Sequence, residues 1–236
     1  MVACVLWVGV TKRTLQRPYS PEWVRRLRGM VERHLKMPHR FVCLSNVDVE
    51  GVECIPLTDG LPGWWSKIEL FKHDLGTRAL YLDLDVLVTG DLSEIAAYDA
   101  PIAFTPPHSA LMGTPLRLAP GVNECYQTSC MVWTPPYGRV IYEQFRHDVI
   151  RRLRGDQDWI AEVYAHWPKM PVAWFRKLRQ CKEGPPDGVK VVLSMPWKND
   201  DAARRFSWVK ECWVDGDLFR AQGGMAHPRH RGAEGR

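Results

Sequence analysis

Two aspartates, Asp83 and Asp85, stand two positions apart in an otherwise apolar run, Arg-Ala-Leu-Tyr-Leu-Asp-Leu-Asp-Val-Leu-Val, from Arg78 to Val88. A carboxylate in such a run is costly to desolvate unless it is paired or binds a cation. A hard divalent ion supplies that partner. Mg²⁺ or Mn²⁺ takes carboxylate oxygens together with diphosphate oxygens and neutralises the charge on a departing phosphate group. The competing reading is that either aspartate simply caps a turn at the end of the strand. The setting favours the cation, because ligands of open α/β sheets collect outside the carboxyl ends of strands. On a continuous strand the spacing of two would point both carboxylates the same way.

A second acidic group, Gly155-Asp156-Gln157-Asp158, has two readings. It is a helix N-terminus with acidic residues in its first turn, or it supplies a base or a sugar-orienting group. The basic clusters divide in the same way: Arg25-Arg26-x-Arg28, Arg151-Arg152-x-Arg154, Arg176-Lys177-x-Arg179, Arg204-Arg205 and Arg229-x-Arg231. They fall mostly on predicted helices and read first as solvated faces. The sharper reading is that they track a nucleic-acid backbone, with tryptophans supplying stacking surfaces.

The elements that must position these groups follow from periodicity. Val2 to Val10 is a short apolar run with the β-branched content of a strand buried on both faces. Ser20-Pro21-Glu22 offers an N-cap and a proline at the first helical position, and Trp23, Leu27, Met30, Val31 and Leu35 recur at helical spacing up to Pro38-His39. A strand from Arg40 to Ser45 completes a β-α-β unit, which implies parallel pairing. Val52 to Leu57 reads as a strand, and Trp65 to Lys72 as a helix with Lys67 near its start. After the aspartates come a helical Leu92 to Ala97 and a strand from Ile102 to Thr105. Pro106 to Val122 is long for a loop, the mark of a functional segment or lid. A strand from Cys130 to Trp133, helical patterns over Arg139 to Arg154 and Gln157 to Tyr164, and a last clear strand from Val189 to Leu193 follow.

At 236 residues the chain suits one large α/β domain, and 45% hydrophobic with 25% charged residues excludes disordered and fibrous classes. Its net charge of +5 is compatible with phosphate-bearing partners. The seven cysteines form no C-x-x-C pair, so they read as buried thiols rather than zinc ligands or disulfides. No apolar run approaches the roughly 20 residues of a membrane span, and the start lacks the pattern of a signal peptide, so a cytoplasmic protein is expected.

Trp64-Trp65-Ser66-Lys67-Ile68-Glu69-Leu70-Phe71 followed by Leu80-Tyr81-Leu82-Asp83-Leu84-Asp85-Val86-Leu87-Val88 resembles the glycogenin-like and lipopolysaccharide galactosyltransferase-like glycosyltransferases, especially their small bacterial and phage relatives. The resemblance covers roughly the first two-thirds of the chain. It implies a single GT-A (Rossmann-like) domain over residues 1–222, with a mixed, mainly parallel central sheet flanked by helices; the Gly, His and Arg content of residues 223–236 reads by itself as a basic, flexible tail. It implies transfer of a sugar from a nucleoside-diphosphate sugar, UDP-sugar favoured, to a hydroxyl acceptor, with Mn²⁺ or Mg²⁺, in a bacterial or phage-infected cell. Residue by residue, Val8, Gly9 and Val10 would border the nucleotide, and Lys67 would approach the donor. Asp83, Leu84 and Asp85 would meet the metal and diphosphate, Ser129 would lie beside the sugar, and Asp156 and Gln157 would be the catalytic pair.

One departure stands out. The family's histidine after the last strand is absent, and Val191-Val192-Leu193 runs into Ser194-Met195-Pro196-Trp197-Lys198. His227 could complete the metal site from the tail, or be solvated surface. Lys198 could face the leaving phosphate, or solvent. Three functions stay open: transfer to a 5-hydroxymethylcytosine base in phage-type DNA, which requires flipped or single-stranded substrate; transfer to a carbohydrate or lipopolysaccharide; and nucleotide-sugar binding without catalysis.

Overall fold

A computed structural model describes residues 1–10, 19–113, 125–194 and 198–215, with Lys198 described in its backbone only. The chain opens with β1 (Val2–Leu6), crosses through α1 (Pro21–His34) and returns as β2 (Phe41–Ser45), then β3 (Glu53–Pro56). All three strands are parallel, as the β-α-β reading requires. Proline occupies the start of α1 as expected, but the Ser20 side chain makes no capping hydrogen bond. The apolar stripe still fixes the helix, because Trp23, Val24, Leu27, Met30 and Val31 are all buried. The segment around Lys67 is helical, but of the tighter 3-10 type, from Gly63–Lys72.

The predicted strand from Arg78 to Val88 is two strands. β4 (Ala79–Leu82) lies in the large sheet and β5 (Val86–Val88) in a separate small one. Between them residues 83–85 turn, with the Val86 N–H donating to the Asp83 carbonyl at 3.3 Å. The strand alternation expected to align both carboxylates therefore stops at Asp83. A continuous strand would have carried charge into the apolar layers; the break leaves it where the sheets diverge.

α2 (Ser93–Ala96), β6 (Ile102–Thr105) and α3 (His108–Met112) precede β7 (Gln127–Trp133). The large sheet has the order β3-β2-β1-β4-β7-β6, with β7 antiparallel to both neighbours. It is mixed and mainly parallel, as expected. One apolar cluster, built around α1, includes Cys4, Leu6, Leu80 and Leu82; the other includes Ala3, Trp65, Ile68, Tyr81 and Trp133. Alternate residues of β1 and β4 thus feed opposite layers.

The helical pattern over Arg139 to Arg154 is interrupted, giving α4 (Arg139–Glu143) and α5 (Val149–Arg152). Phe145, between them, packs against Trp65 and Trp159 with ring centroids 5.8 and 5.7 Å apart, and tertiary packing overrides the local preference. α6 (Asp156–Val163) follows. β8 (Phe175–Lys177) and β9 (Val191–Leu193) join β5 in the small sheet. The Arg176-Lys177-x-Arg179 cluster is therefore on a strand and a short 3-10 turn, not a helix. Finally α7 (Lys198–Arg205) and α8 (Ser207–Cys212), unmarked in the sequence reading, dock on α1. There Asp200 bonds both Arg26 (2.7 Å) and Trp213 (3.0 Å), and Asp215 pairs with Arg25 at 2.9 Å.

None of the seven cysteines forms a disulfide, and Cys4, Cys43, Cys130 and Cys181 are buried. Among the described residues, no helix is long and apolar enough to cross a membrane.

Candidate active site

Strand order reverses on either side of β1 and β4: β1 leads outward to β2 and β3, β4 to β7 and β6. At such a switch point the loops leaving the strands' carboxyl ends part and open a crevice. Here those loops are residues 7–10 and 83–85.

Alternation along β4 puts Tyr81 and Asp83 on the side of the 3-10 helix. The Tyr81 hydroxyl donates to Asp83 Oδ1 at 2.6 Å, and Lys67 Nζ lies 3.0 Å from the same oxygen. Lys67 also lies 3.0 Å from Asp156 Oδ2, at the first turn of α6. Thr128 Oγ1 closes the group, donating to Asp156 Oδ2 at 2.7 Å and accepting from Lys67 at 3.2 Å. Burial alone would drive the ammonium pKa down, but the charges of Asp156 and Asp83 outweigh it and hold Lys67 well above the ordinary lysine range.

Thr128 reaches this group because β7 is irregular. Phe104 pairs with Met131 but Thr105 with Gln127, a bulge that breaks the alternation of side chains between them. Cys130 keeps the regular alternation and faces the α1 layer, whereas Thr128, two residues earlier, meets Lys67 and Asp156 on the other side.

Asp85 is buried on the other limb of the turn. Burial first, and then the charge of Asp83, push its carboxyl up to about 7, against a hydrogen bond from Tyr19 that lowers it. Asn199 of α7 donates from Nδ2 to the Asp85 carbonyl at 3.1 Å, and its buried Oδ1 has no hydrogen-bond partner. One lysine thus faces three carboxylates, a surplus of two negative charges when all are ionised. A divalent cation matches that surplus, and the donor set is hard oxygen. Among the described residues there is no cluster of three or more His, Cys, Asp and Glu that could hold a metal. Mg²⁺ or Mn²⁺ would need only one or two protein carboxylates, with phosphate and water oxygens completing its shell.

Across the crevice, Asn46 grips the Val8 backbone at both ends: the Val8 N–H donates to Oδ1 at 2.8 Å, and Nδ2 donates to the Val8 carbonyl at 2.7 Å. Gly9 lies against the Trp7 indole, where a Cβ would come within 2.3 Å of the ring, and Val10 is 80% exposed. Leu84 is buried in the α1 layer, so its side chain is core and only its backbone borders the crevice. Ser129 is half-buried, and its carbonyl accepts the Asp83 N–H at 2.9 Å. Gln157 is half-buried beside Asp156 on α6. The side chain of Lys198, His227 and the tail over 223–236 lie outside the described residues, as does most of the loop from Pro106 to Val122.

Sequence reasoning brought Asp83, Lys67 and Asp156 together but missed Tyr19, Asn46, Thr128 and Asn199. Thr128 stood in the same short segment as Ser129, and only a bulge distinguishes them. A loop tyrosine and two asparagines carry no periodic signal.

This sheet order, with the acidic turn at its switch point, is the GT-A fold. No protein-family model matches the chain, and no curated protein sequence matches it. Solved structures do. The galactosyltransferase LgtC, in complex with donor and acceptor sugar analogs, superposes with a TM-score of 0.54 at 12% identity, over 94% of this chain and 99% of that one. The glycosyltransferase GlyE of Streptococcus pneumoniae TIGR4 gives 0.58 at 11% identity, over 98% of this chain and 66% of the other. An active-site mutant of LgtC gives 0.55 at 11% identity, over 96% of each chain.

Proposed function

We propose that the chain is a glycosyltransferase moving a sugar from a nucleoside-diphosphate sugar, UDP-sugar favoured, to a hydroxyl acceptor with the help of Mn²⁺ or Mg²⁺. The observation that carries this is the surplus of carboxylate over ammonium where β4 ends, at a switch-point crevice. A bound divalent ion would supply neutralisation of the leaving diphosphate, held by Asp83 and Asp85. The remaining roles belong to the protein. The residue 7–10 loop, pinned by Asn46, borders the nucleotide. Lys67 fixes Asp83 and Asp156 at a set separation, so that their free lone pairs face the donor without reorganising. Asp156 and Gln157 orient the sugar hydroxyls at the start of α6. LgtC has been mutated at an active-site glutamine, which supports a glutamine at such a site in this fold. Lys198 and His227 are candidates for further contacts from the C-terminal segment.

The acceptor reading that fits best is a carbohydrate. A DNA acceptor needs cations open to phosphates. Arg25, Arg26, Arg28, Arg152, Arg154 and Arg204 are instead each engaged by a carboxylate of the chain itself.

The test is a panel of nucleotide sugars with Mn²⁺, scored by release of nucleoside diphosphate and by mass spectrometry of acceptors that include oligosaccharides and hydroxymethylcytosine DNA. Turnover lost in Asp85→Ala supports the transferase. Nucleotide binding without turnover on any acceptor supports a non-catalytic binding protein, and a mass gain on DNA alone replaces the carbohydrate with the base.

A further inference from the structure

The chain leaving β9 sets out beside the acidic turn and comes back to it. β9 pairs antiparallel with β5, with Leu193 opposite Val86, the residue after Asp85. Further on, Asn199 at the start of α7 donates from Nδ2 to the Asp85 main-chain carbonyl at 3.1 Å. α7 is held there by Asp200, which bonds both Arg26 and Trp213. Asn199 is 0% exposed and Asp85 8%, so amide and carboxylate share the closed end of the crevice. A sealed amide ordinarily uses both of its ends. Among the described residues, nothing donates to Asn199 Oδ1. Turning the amide over would set its oxygen against the Asp85 carbonyl and strand its nitrogen, so the hydrogen bond fixes which end is which. Amide geometry then keeps Oδ1 within about 5.4 Å of that carbonyl oxygen. The donors described at the acidic turn are engaged: Lys67 on Asp83, Asp156 and Thr128, Tyr81 on Asp83, and Tyr19 on Asp85.

We infer that Asn199 Oδ1 is a ligand of the divalent ion that Asp83 and Asp85 would hold, supplying from α7 the contact for which the sequence has no histidine after β9. The inference deepens the transferase reading and rests on it. An unmet oxygen beside surplus carboxylate can be satisfied by a donor or by a cation. Carbonyl oxygens suit Mg²⁺ and Mn²⁺ as carboxylates do, and the same oxygen set disfavours softer ions. An amide also adds coordination without adding charge. Two carboxylates then still balance a divalent ion, whereas a third would leave the site anionic where a diphosphate must bind. On this account His227 is not needed at the metal.

Mn²⁺ binding to the full chain with UDP present tests this, read by the loss of the free-ion electron paramagnetic resonance signal and by calorimetry. Asn199→Leu fills the space without an oxygen, and Asn199→Asp keeps an oxygen there. Both lose the Nδ2 hydrogen bond to Asp85, so a role confined to that bond predicts equal weakening in the two. A ligand role predicts that Asn199→Leu weakens Mn²⁺ by at least about tenfold, while Asn199→Asp binds it as tightly as the wild type or more so. Equal weakening in both variants, or affinity in Asn199→Leu within about twofold of wild type, overturns the inference. Electron–nuclear double resonance on wild type carrying ¹³C-labelled asparagine covers an Asn199→Leu chain that does not fold. A ¹³C coupling to bound Mn²⁺ that vanishes in Asn199→Asp supports the ligand; no coupling in the wild type, or one that persists in Asn199→Asp, overturns it. A wild type that binds UDP but no Mn²⁺ removes the metal from the transferase reading and this inference with it, which sets that failure apart from a failure of Asn199 alone.

Discussion

Lys67 Nζ lies 3.0 Å from Asp156 Oδ2, with both side chains almost wholly buried. This joins the 3-10 helix to α6 and, through Asp83, to the end of β4, so a single ammonium fixes three elements around one crevice. Removing one partner of a buried pair leaves the other charge uncompensated, which costs about 3–5 kcal/mol. Lys67→Ala should therefore destabilise the fold by about that amount in chemical denaturation. Adding Asp156→Asn to it should recover a substantial part, because the double variant leaves one fewer stranded charge. Strictly additive losses would show that the two groups are not coupled.

Thr128 gives a finer test of the same group. Its hydroxyl serves both Lys67 and Asp156 while buried, so Thr128→Val leaves two charged partners each short of a hydrogen bond, at about 1–3 kcal/mol. Thr128→Ser keeps the oxygen and should lose less than half as much. Thermal denaturation at fixed pH distinguishes them; a loss in Thr128→Val no larger than that in Thr128→Ser would show that the hydroxyl's two hydrogen bonds contribute little.

Asp85 predicts a pH dependence with a definite sign. Its carboxyl is raised in the fold from 3.8 to about 7, by burial and then by Asp83. A raised group costs nothing below its unfolded pKa; the cost grows through the interval and is complete above the folded value. Without divalent cations, Asp85→Asn should therefore be more stable than wild type at pH 8, by on the order of 2–4 kcal/mol, and show no such advantage at pH 4. Mn²⁺ should narrow the gap at pH 8 by stabilising the wild type. Melting curves at the two pH values, with and without the ion, check both parts. An advantage that persists at pH 4 would point to packing rather than charge.

How far the sequence carried the site depends on the range of the interactions involved. The parallel start of the sheet, the helical setting of Lys67 and the acidic pair at a strand end are local patterns, and each survives in the structure. The break after Leu82 is not local. It exists because Val86–Val88 finds β9, contributed more than a hundred residues later, and so leaves the large sheet. Thr128 depends on a register shift against β6, and Asn199 reaches Asp85 only because α7 and α8 dock on α1 through Asp200. Long-range pairings of this kind leave no period in the residues that make them. The arginine clusters mix both ranges: Arg28 and Arg154 pair with Glu32 and Asp158 one helical turn on, whereas Arg25 meets Asp215 only through the fold.

The most direct test of the account is calorimetric titration of UDP into the protein with and without Mn²⁺, for the wild type, Asp83→Asn and Asp85→Asn. The account predicts that Mn²⁺ tightens UDP binding by at least about tenfold in the wild type, a gain of about 1.4 kcal/mol, and that each variant loses most of that gain. UDP affinity that is the same with and without the ion, or a Mn²⁺ effect that survives in both variants, would contradict it.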